Sequence, residues 1–290
     1  MTSTPNPVSG WINGFIGVLI FSASLPATRA AVLDLDPMFV TFARASFAGV
    51  LAICLLAAFR APKPGREDLA SLIITALGVV VGFPLLTALA LKHITSAHSV
   101  VFIGLLPLST AIFGVIRGGE RPQPAFWIFS CLGSALVAGF ALTQNADASL
   151  TGDLPMLAAI IVCGLGYAEG AALSRKLGGW QVISWALVLS LPVMGGLLIF
   201  TLPSSFSGVG LPAWAGLAYV SVFSMLIGFF FWYRGLAQGG IAGVGQLQLL
   251  QPFFGLMLSA ALLRETVGWE MIAVTGAVVA CVAGAKKFAR

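Results

Sequence analysis

LLPLSTAIFGVIRGGE, residues 105–120, sets Pro107 inside an apolar run and Glu120 at its end; LLQPFFGLMLSAALLRE, residues 249–265, repeats the arrangement with Pro252 and Glu265. Both pairs are separated by 145 residues. The same shift aligns Leu91 with Leu236, Ala97 with Ala242, Leu105 with Leu250, Ala135 with Ala280, Val137 with Val282 and Gly139 with Gly284. Common origin explains this better than chance. The chain therefore reads as two halves, 1–145 and 146–290, and such repetition constrains the fold before any local propensity does.

Of the 290 residues, 59% are hydrophobic and 9% charged, against roughly 25% charged in an ordinary soluble domain. A water-soluble core cannot absorb that much apolar surface. Uncharged stretches recur, each close to the ~20 residues that cross ~30 Å of hydrocarbon at 1.5 Å per residue. The composition predicts an all-α, polytopic membrane protein whose first partner is the lipid bilayer. The opening MTSTPNPVSG has no basic residue and ATRAAVLDLDP lacks a convincing cleavage site, so the first apolar segment is expected to remain in the mature chain. Cys54, Cys131, Cys163 and Cys281 lie singly in apolar runs, which reads as buried free thiols. The net charge of +5 comes from scattered residues, which argues for topology and against nucleic acid.

Polar, charged or Pro-containing breaks divide the chain into ten expected spans: 10–31, 37–59, 67–91, 96–117, 124–142, 152–173, 181–202, 211–233, 241–263 and 268–286. KHITSAH, residues 92–98, is a short polar interval that joins the third and fourth spans. One side of this arrangement collects Arg60, Lys63, Arg66, Arg117, Arg121, Arg175, Lys176, Arg234, Lys286, Lys287 and Arg290; the other receives Arg29, Lys92 and Arg264. Cytoplasmic loops carry the excess of Lys and Arg. Both termini are thus expected in the cytoplasm, with the inner membrane of a bacterium as the location. Five spans per half is an odd number, so the second half must enter from the opposite face. Inverted repeats of this kind are a transporter architecture with the substrate site at the midplane.

The order of DPMFVTFARASFAGV (36–50), Pro107 to Glu120 followed by GSALVAGFAL, and Pro252 to Glu265 followed by GAVVACVAG resembles the drug/metabolite transporter superfamily, EamA type. Within it, FSASLPATRAAV (21–32) and the overall length look most similar to the YddG-type amino-acid exporters. The Trp-Gly that many members carry in the first span is replaced here by LIFSASLP. The resemblance implies a ten-helix basket that exports small metabolites by alternating access, with amino acids, aromatic ones included, as the leading substrates.

Arg44 lies inside the second span, where a charge at mid-helix costs about 2.5–3.5 kcal/mol on insertion scales and needs a partner. A backbone carbonyl or the nearby Asp34 and Asp36 are structural partners; a substrate carboxylate, gripped in bidentate fashion, is the functional one. Glu169, the carboxylate clearly within a span, is either a coupling group that changes charge or half of an ion pair with Arg175 or Lys176. Gln246 and Gln248 place amides just before Pro252, and Phe83, Phe102, Tyr167, Trp185 and Tyr219 are candidate cavity walls. Pro26, Pro84, Pro107, Pro192 and Pro252 interrupt spans and are expected to kink or gate them. The other six tryptophans, Trp232 among them, fall at expected span ends and read as an interfacial belt. His93 and His98 are five apart, not the i, i+4 pair of a metal site; His98 is kept as a cavity candidate.

No cofactor or metal is expected. No P-loop, H-E-x-x-H or G-x-S-x-G pattern occurs, which argues against ATP use by this chain and against a membrane enzyme. A carrier of other small metabolites or cationic drugs is the alternative within the same class. A membrane-embedded scaffold or sensor is the alternative outside it.

Overall fold

The computed structural model describes residues 7–90, 93–94, 102–143, 149–263 and 269–289, and among these every regular element is helical. We number the helices α1 (Val8–Val32, with a turn at Ala23), α2 (Pro37–Ala58), α3 (66–90), α4 (Leu106–Gly118), α5 (Pro124–Leu142), α6 (Leu150–Leu177), α7 (Gly179–Phe200), α8 (Leu211–Gly239), α9 (241–263) and α10 (Trp269–Phe288). Among the described residues six stretches, in α1, α2, α3, α6, α7 and α8, are long and apolar enough to cross a membrane. Large apolar side chains such as Ile53, Ile116, Ile128, Leu132, Ile161 and Val193 lie on the exterior. That surface would associate in water and is at rest only against hydrocarbon.

Helices associate where small residues let backbones approach, because lipid offers no hydrophobic drive between them. A Cβ added to Gly10 would collide with the backbone of Gly239, and one on Gly235 with that of Gly14, so α1 and α8 touch along a glycine seam. Gly78 of α3 meets Val162 and Gly166 of α6 in the same way. Together with α2 on α7 and α5 on α10, these are among the main packed pairs. The buried residues form one large apolar core and two smaller clusters at opposite ends.

Two long helices change register midway. The peptide N–H of Phe83 bonds the carbonyl of Gly78 in α3, and that of Gly228 bonds Phe223 in α8, closing π-helical stretches at Ala76–Gly82 and Val220–Ile227. The two stretches overlap under the 145-residue shift. The sequence gives no local warning of them.

The fourth and ninth spans, expected as continuous helices, are broken. In the fourth, a turn at Gly104–Leu105 precedes α4; in the ninth, Ile241–Gly245 gives way to a 3₁₀ stretch at Gln246–Leu250 before Gln251–Leu263. Both breaks directly precede a proline. Indeed Pro84, Pro107 and Pro252 are each the second residue of a helical segment and Pro26 the third; the segment of Pro84 follows directly on the π-helical stretch and that of Pro252 on the 3₁₀ stretch, so these two prolines fall where the regular ladder is already changed. Among the expected kinks Pro192 alone stands deep inside its helix.

Each end of the bundle has its own polar contacts. At one end Lys176 Nζ binds Asp68 (2.8 and 2.9 Å) and Glu67 (3.0 Å), Phe59 meets Trp180, and Lys286 lies over Trp11. At the other, Asp34 accepts from Gly210 N (2.9 Å) and Phe39 packs on Phe206. Asp36 caps α2 by accepting from Met38 and Phe39 N. Both acids offered as partners for Arg44 are therefore engaged elsewhere.

Glu120 does not serve the next helix in sequence. Its two oxygens accept from Ile241 N (2.6 Å) and Ala242 N (2.7 Å), and Arg175 Nη2 donates to one of them (3.0 Å). It caps α9, 121 residues away. Trp232 is a second correction: it is fully buried, because α8 runs on to Gly239 past the expected end at 233. The cysteines are a third correction: Cys163 and Cys281 are buried, but Cys54 and Cys131 are exposed on the apolar exterior. Glu265 and His98 lie outside the described residues.

Candidate functional site

α2 carries Ala43, Ala45, Ser46, Ala48 and Gly49, small and buried, around Arg44. Its one long polar side chain therefore reaches inward across a thin packing layer. Arg44 Nη2 donates to Ser224 Oγ (3.3 Å), and Ser24 Oγ donates to the same oxygen (2.8 Å). Ser224 thus accepts twice and keeps its own proton to give. Its place in the π-helical stretch of α8, and that of Ser24 just after the turn in α1, put the guanidinium where two irregular segments meet. Arg44 Nε is buried without a partner. Among the described residues the ion pairs are those of Arg117, Arg175 and Lys176, and none reaches Arg44.

Tyr167 of α6 lies within electrostatic reach of Arg44. Its ring packs against Trp232 (5.6 Å) and Phe229 (6.0 Å), and Phe21 closes on Phe229 at 5.0 Å. Tyr233 stacks beside Phe229 at 5.3 Å and donates its hydroxyl to Gly166 O (3.2 Å). Four helices' worth of aromatic and polar groups, from α1, α2, α6 and α8, converge here. Tyr219 belongs to the same neighbourhood by its bond to Ile20 O (3.0 Å). Ser24, Ser224, Phe229, Trp232 and Phe21 are members that sequence reasoning missed. Serines inside an uncharged run were the available signal.

The remaining candidates make contacts of their own. Gln246 lies fully buried; its Nε2 has only long contacts, at 3.5 Å, to Pro107 O and Ala242 O, and its Oε1 has no partner. Both amide atoms of Gln248 are buried and unpartnered, as is Trp185 Nε1. Phe83, Phe102 and Trp185 are half-buried against the main core. Buried polar atoms without partners are rare in folded proteins. Such open capacity suits a polar guest.

Glu169 is buried near one end of α6 and binds Arg117 Nε of α4, not Arg175 or Lys176. Arg175 reaches Glu120 and the carbonyl of Gly118 instead. Charge pairs thus tie α4, α6 and the start of α9 together at the end where Lys176 holds Asp68.

An apolar exterior, broken helices and a polar, aromatic interior define a multi-pass helical membrane protein built to hold a solute. The chain belongs to the EamA-like transporter family, whose profile matches residues 8–142 and 150–285. It is 68% identical over 290 residues, all of both chains, to "Uncharacterized transporter YdeK" of Bacillus subtilis (strain 168). Over 205 residues, 68% of this chain and 66% of the other, it is 20% identical to "Uncharacterized transporter YyaM" of the same bacterium. A solved structure 18% identical in sequence superposes with a TM-score of 0.82, covering 97% of this chain and 99% of its own, which shows a shared fold.

Proposed function

We propose that this transporter exports amino acids, aromatic ones included, by alternating access between two inverted five-helix halves, 1–145 and 146–290, with both termini in the cytoplasm. The observation that carries the substrate class is Arg44: a guanidinium inside the bundle with a serine for its partner and, among the described residues, no carboxylate. It matches the fork geometry of a substrate carboxylate, and a resident cation argues against a cationic cargo. Tyr167, Phe229 and Trp232 supply the apolar wall beside it, where an aromatic face also attracts an ammonium by about 0.5–2 kcal/mol. Ser224 and the amides of Gln246 and Gln248 supply further polar groups.

Support for the inverted halves comes from the pairing of helices. Shifting the chain by 145 residues turns the α1–α8 contact into α6–α3 and returns α2–α7 and α5–α10 to themselves. The two π-helical stretches and the two broken spans obey the same shift. Discontinuous helices at the repeat interface are where such carriers bind solutes.

The test is counterflow into liposomes with each of the twenty amino acids, on the parent and on Arg44→Gln at matched protein content. We expect exchange of large apolar and aromatic amino acids, reduced at least tenfold by the substitution. Absence of exchange for all twenty would reject the substrate class.

A further inference from the structure

A groove of about 410 Å³ runs between α2 and α8, within the range of roughly 300–1,000 Å³ for ligand pockets. Leu51, Leu55 and Ala58 form one wall and Val222, Leu226 and Phe230 the other. Their spacing places one stripe of each helix along the groove, and the two helices run in the same direction. The bond from Gly210 N to Asp34 joins their beginnings; Trp180, in contact with both Phe59 (5.7 Å) and Phe230 (6.4 Å), joins their far halves. From Leu51 to Ala58 the groove covers roughly 10 Å at 1.5 Å per residue, most of the ~15 Å depth of one leaflet's hydrocarbon. It is entirely apolar and opens outward, where Leu51 and Cys54 are exposed.

The mouth of the groove is different. Beyond the Phe59–Trp180–Phe230 group stand Arg60 and Arg234, both exposed. Arg60 directly follows Phe59 and takes a left-handed φ of 47°, which ends the helix and turns the chain outward. Arg234 lies one turn beyond Phe230, and Gly179, next to Trp180, packs against its backbone. Neither arginine has a carboxylate partner among the described residues, whereas Arg117, Arg175 and Lys176 at the same end each have one.

An apolar slot one leaflet deep, an interfacial tryptophan and two unpaired arginines at its polar end together match a single kind of occupant. We propose that the groove between α2 and α8 holds an acyl chain of an anionic phospholipid from the leaflet on the basic side, with the lipid phosphate bound by Arg60 and Arg234. Arg suits phosphate by its bidentate fork, and juxtamembrane basic residues select anionic lipids. Val222 and Leu226 flank Ser224, the partner of Arg44. The bound chain thus leans on the π-helical stretch that forms part of the solute site.

Cys54 lines the groove and Cys131 of α5 is an exposed thiol away from it. The experiment compares their alkylation by N-ethylmaleimide, read by peptide mass spectrometry, in the purified full-length protein. Detergent micelles carry phosphatidylglycerol, phosphatidylcholine of the same acyl chains, or neither, and a fourth sample contains soluble glycerol phosphate. Phosphatidylglycerol should slow Cys54 at least fivefold and phosphatidylcholine less than twofold, with Cys131 unchanged and glycerol phosphate without effect. In Arg60→Gln/Arg234→Gln the two lipids should protect equally. Equal protection by both lipids in the parent, protection by glycerol phosphate alone, or an unaltered preference in the double variant would each overturn the proposal. The lipid comparison on the parent decides alone if the double variant fails to fold. No step measures transport, so the outcome is independent of the substrate class.

Discussion

Glu169 and Arg117 form a pair of unequal members, since the Glu169 side chain is 5% exposed and that of Arg117 47%. Removing the arginine strands a buried carboxylate, whereas removing the carboxylate leaves a guanidinium that reaches water. Arg117→Gln should therefore lower the apparent melting temperature of the detergent-solubilised protein more than Glu169→Gln. Equal losses would mean that Glu169 is better solvated than its burial indicates. Glu120 is a second unequal case. Glu120→Gln keeps one acceptor for the start of α9 but loses the charge that serves two N–H groups and Arg175, a loss of about 1–3 kcal/mol. A drop of several degrees with an unchanged amino-acid preference is expected; normal stability with an altered preference would contradict the capping role. At this scale the sequence was legible where a residue was out of place. Arg44 and Glu169 are charges in apolar runs and so announce themselves, but Ser24 and Ser224 are tolerated anywhere in a span because serine can bond its own helix. Trp232 was misread for a geometric reason: the span end was set too early, which put a core residue at the interface.

Helix pairing depends on backbone proximity that only glycine permits. A methyl group on Gly235 would strike the backbone of α1, while one on Gly195 of α7 meets nothing within 4 Å. We expect Gly235→Ala to reduce folded yield and melting temperature and Gly195→Ala to be neutral or to stabilise by up to about 1 kcal/mol, as for an unobstructed helix glycine. Size-exclusion profiles and thermal melts at equal expression check both. The reverse order would place the seam elsewhere. That the chain is built of long apolar helices is legible from apolar length alone, a direct consequence of membrane thickness, and among the described residues six of them are long enough to cross. Register changes are not legible. A π-helical stretch costs no characteristic residue, and Ala76–Gly82 and Val220–Ile227 read as ordinary helix. The prolines are visible in the sequence, and Pro84, Pro107 and Pro252 each stand where the helix type changes or the helix breaks, but the sequence does not say which kind of break each one makes.

For the whole molecule the basic loops decide orientation. Eleven Lys and Arg residues fall on one side of the ten-span arrangement and three on the other, and the contacts around Lys176, Arg175 and Lys286 gather at one end of the bundle. Reporters fused after Arg66, Arg121 and Lys176 should therefore read cytoplasmic, and one fused after Asp36 external. A cytoplasmic signal after Asp36 would reverse or break the arrangement. The repeated Pro–Glu spacing is plain in the sequence, but its purpose at Glu120 is not, because no pattern within 105–120 reveals that Glu120 binds a helix start at 241. That bond also imposes a timetable on synthesis. At about 5–20 residues per second, the ribosome delivers Ile241 some 6–24 s after Glu120, so the nascent chain carries an unclaimed carboxylate through the making of four further helices. Arg175, which emerges in between, can hold it in the interim. The closing of α9 onto α4 must then be a late event of assembly, and a stall before Gly240 leaves the earlier helices without their final clasp.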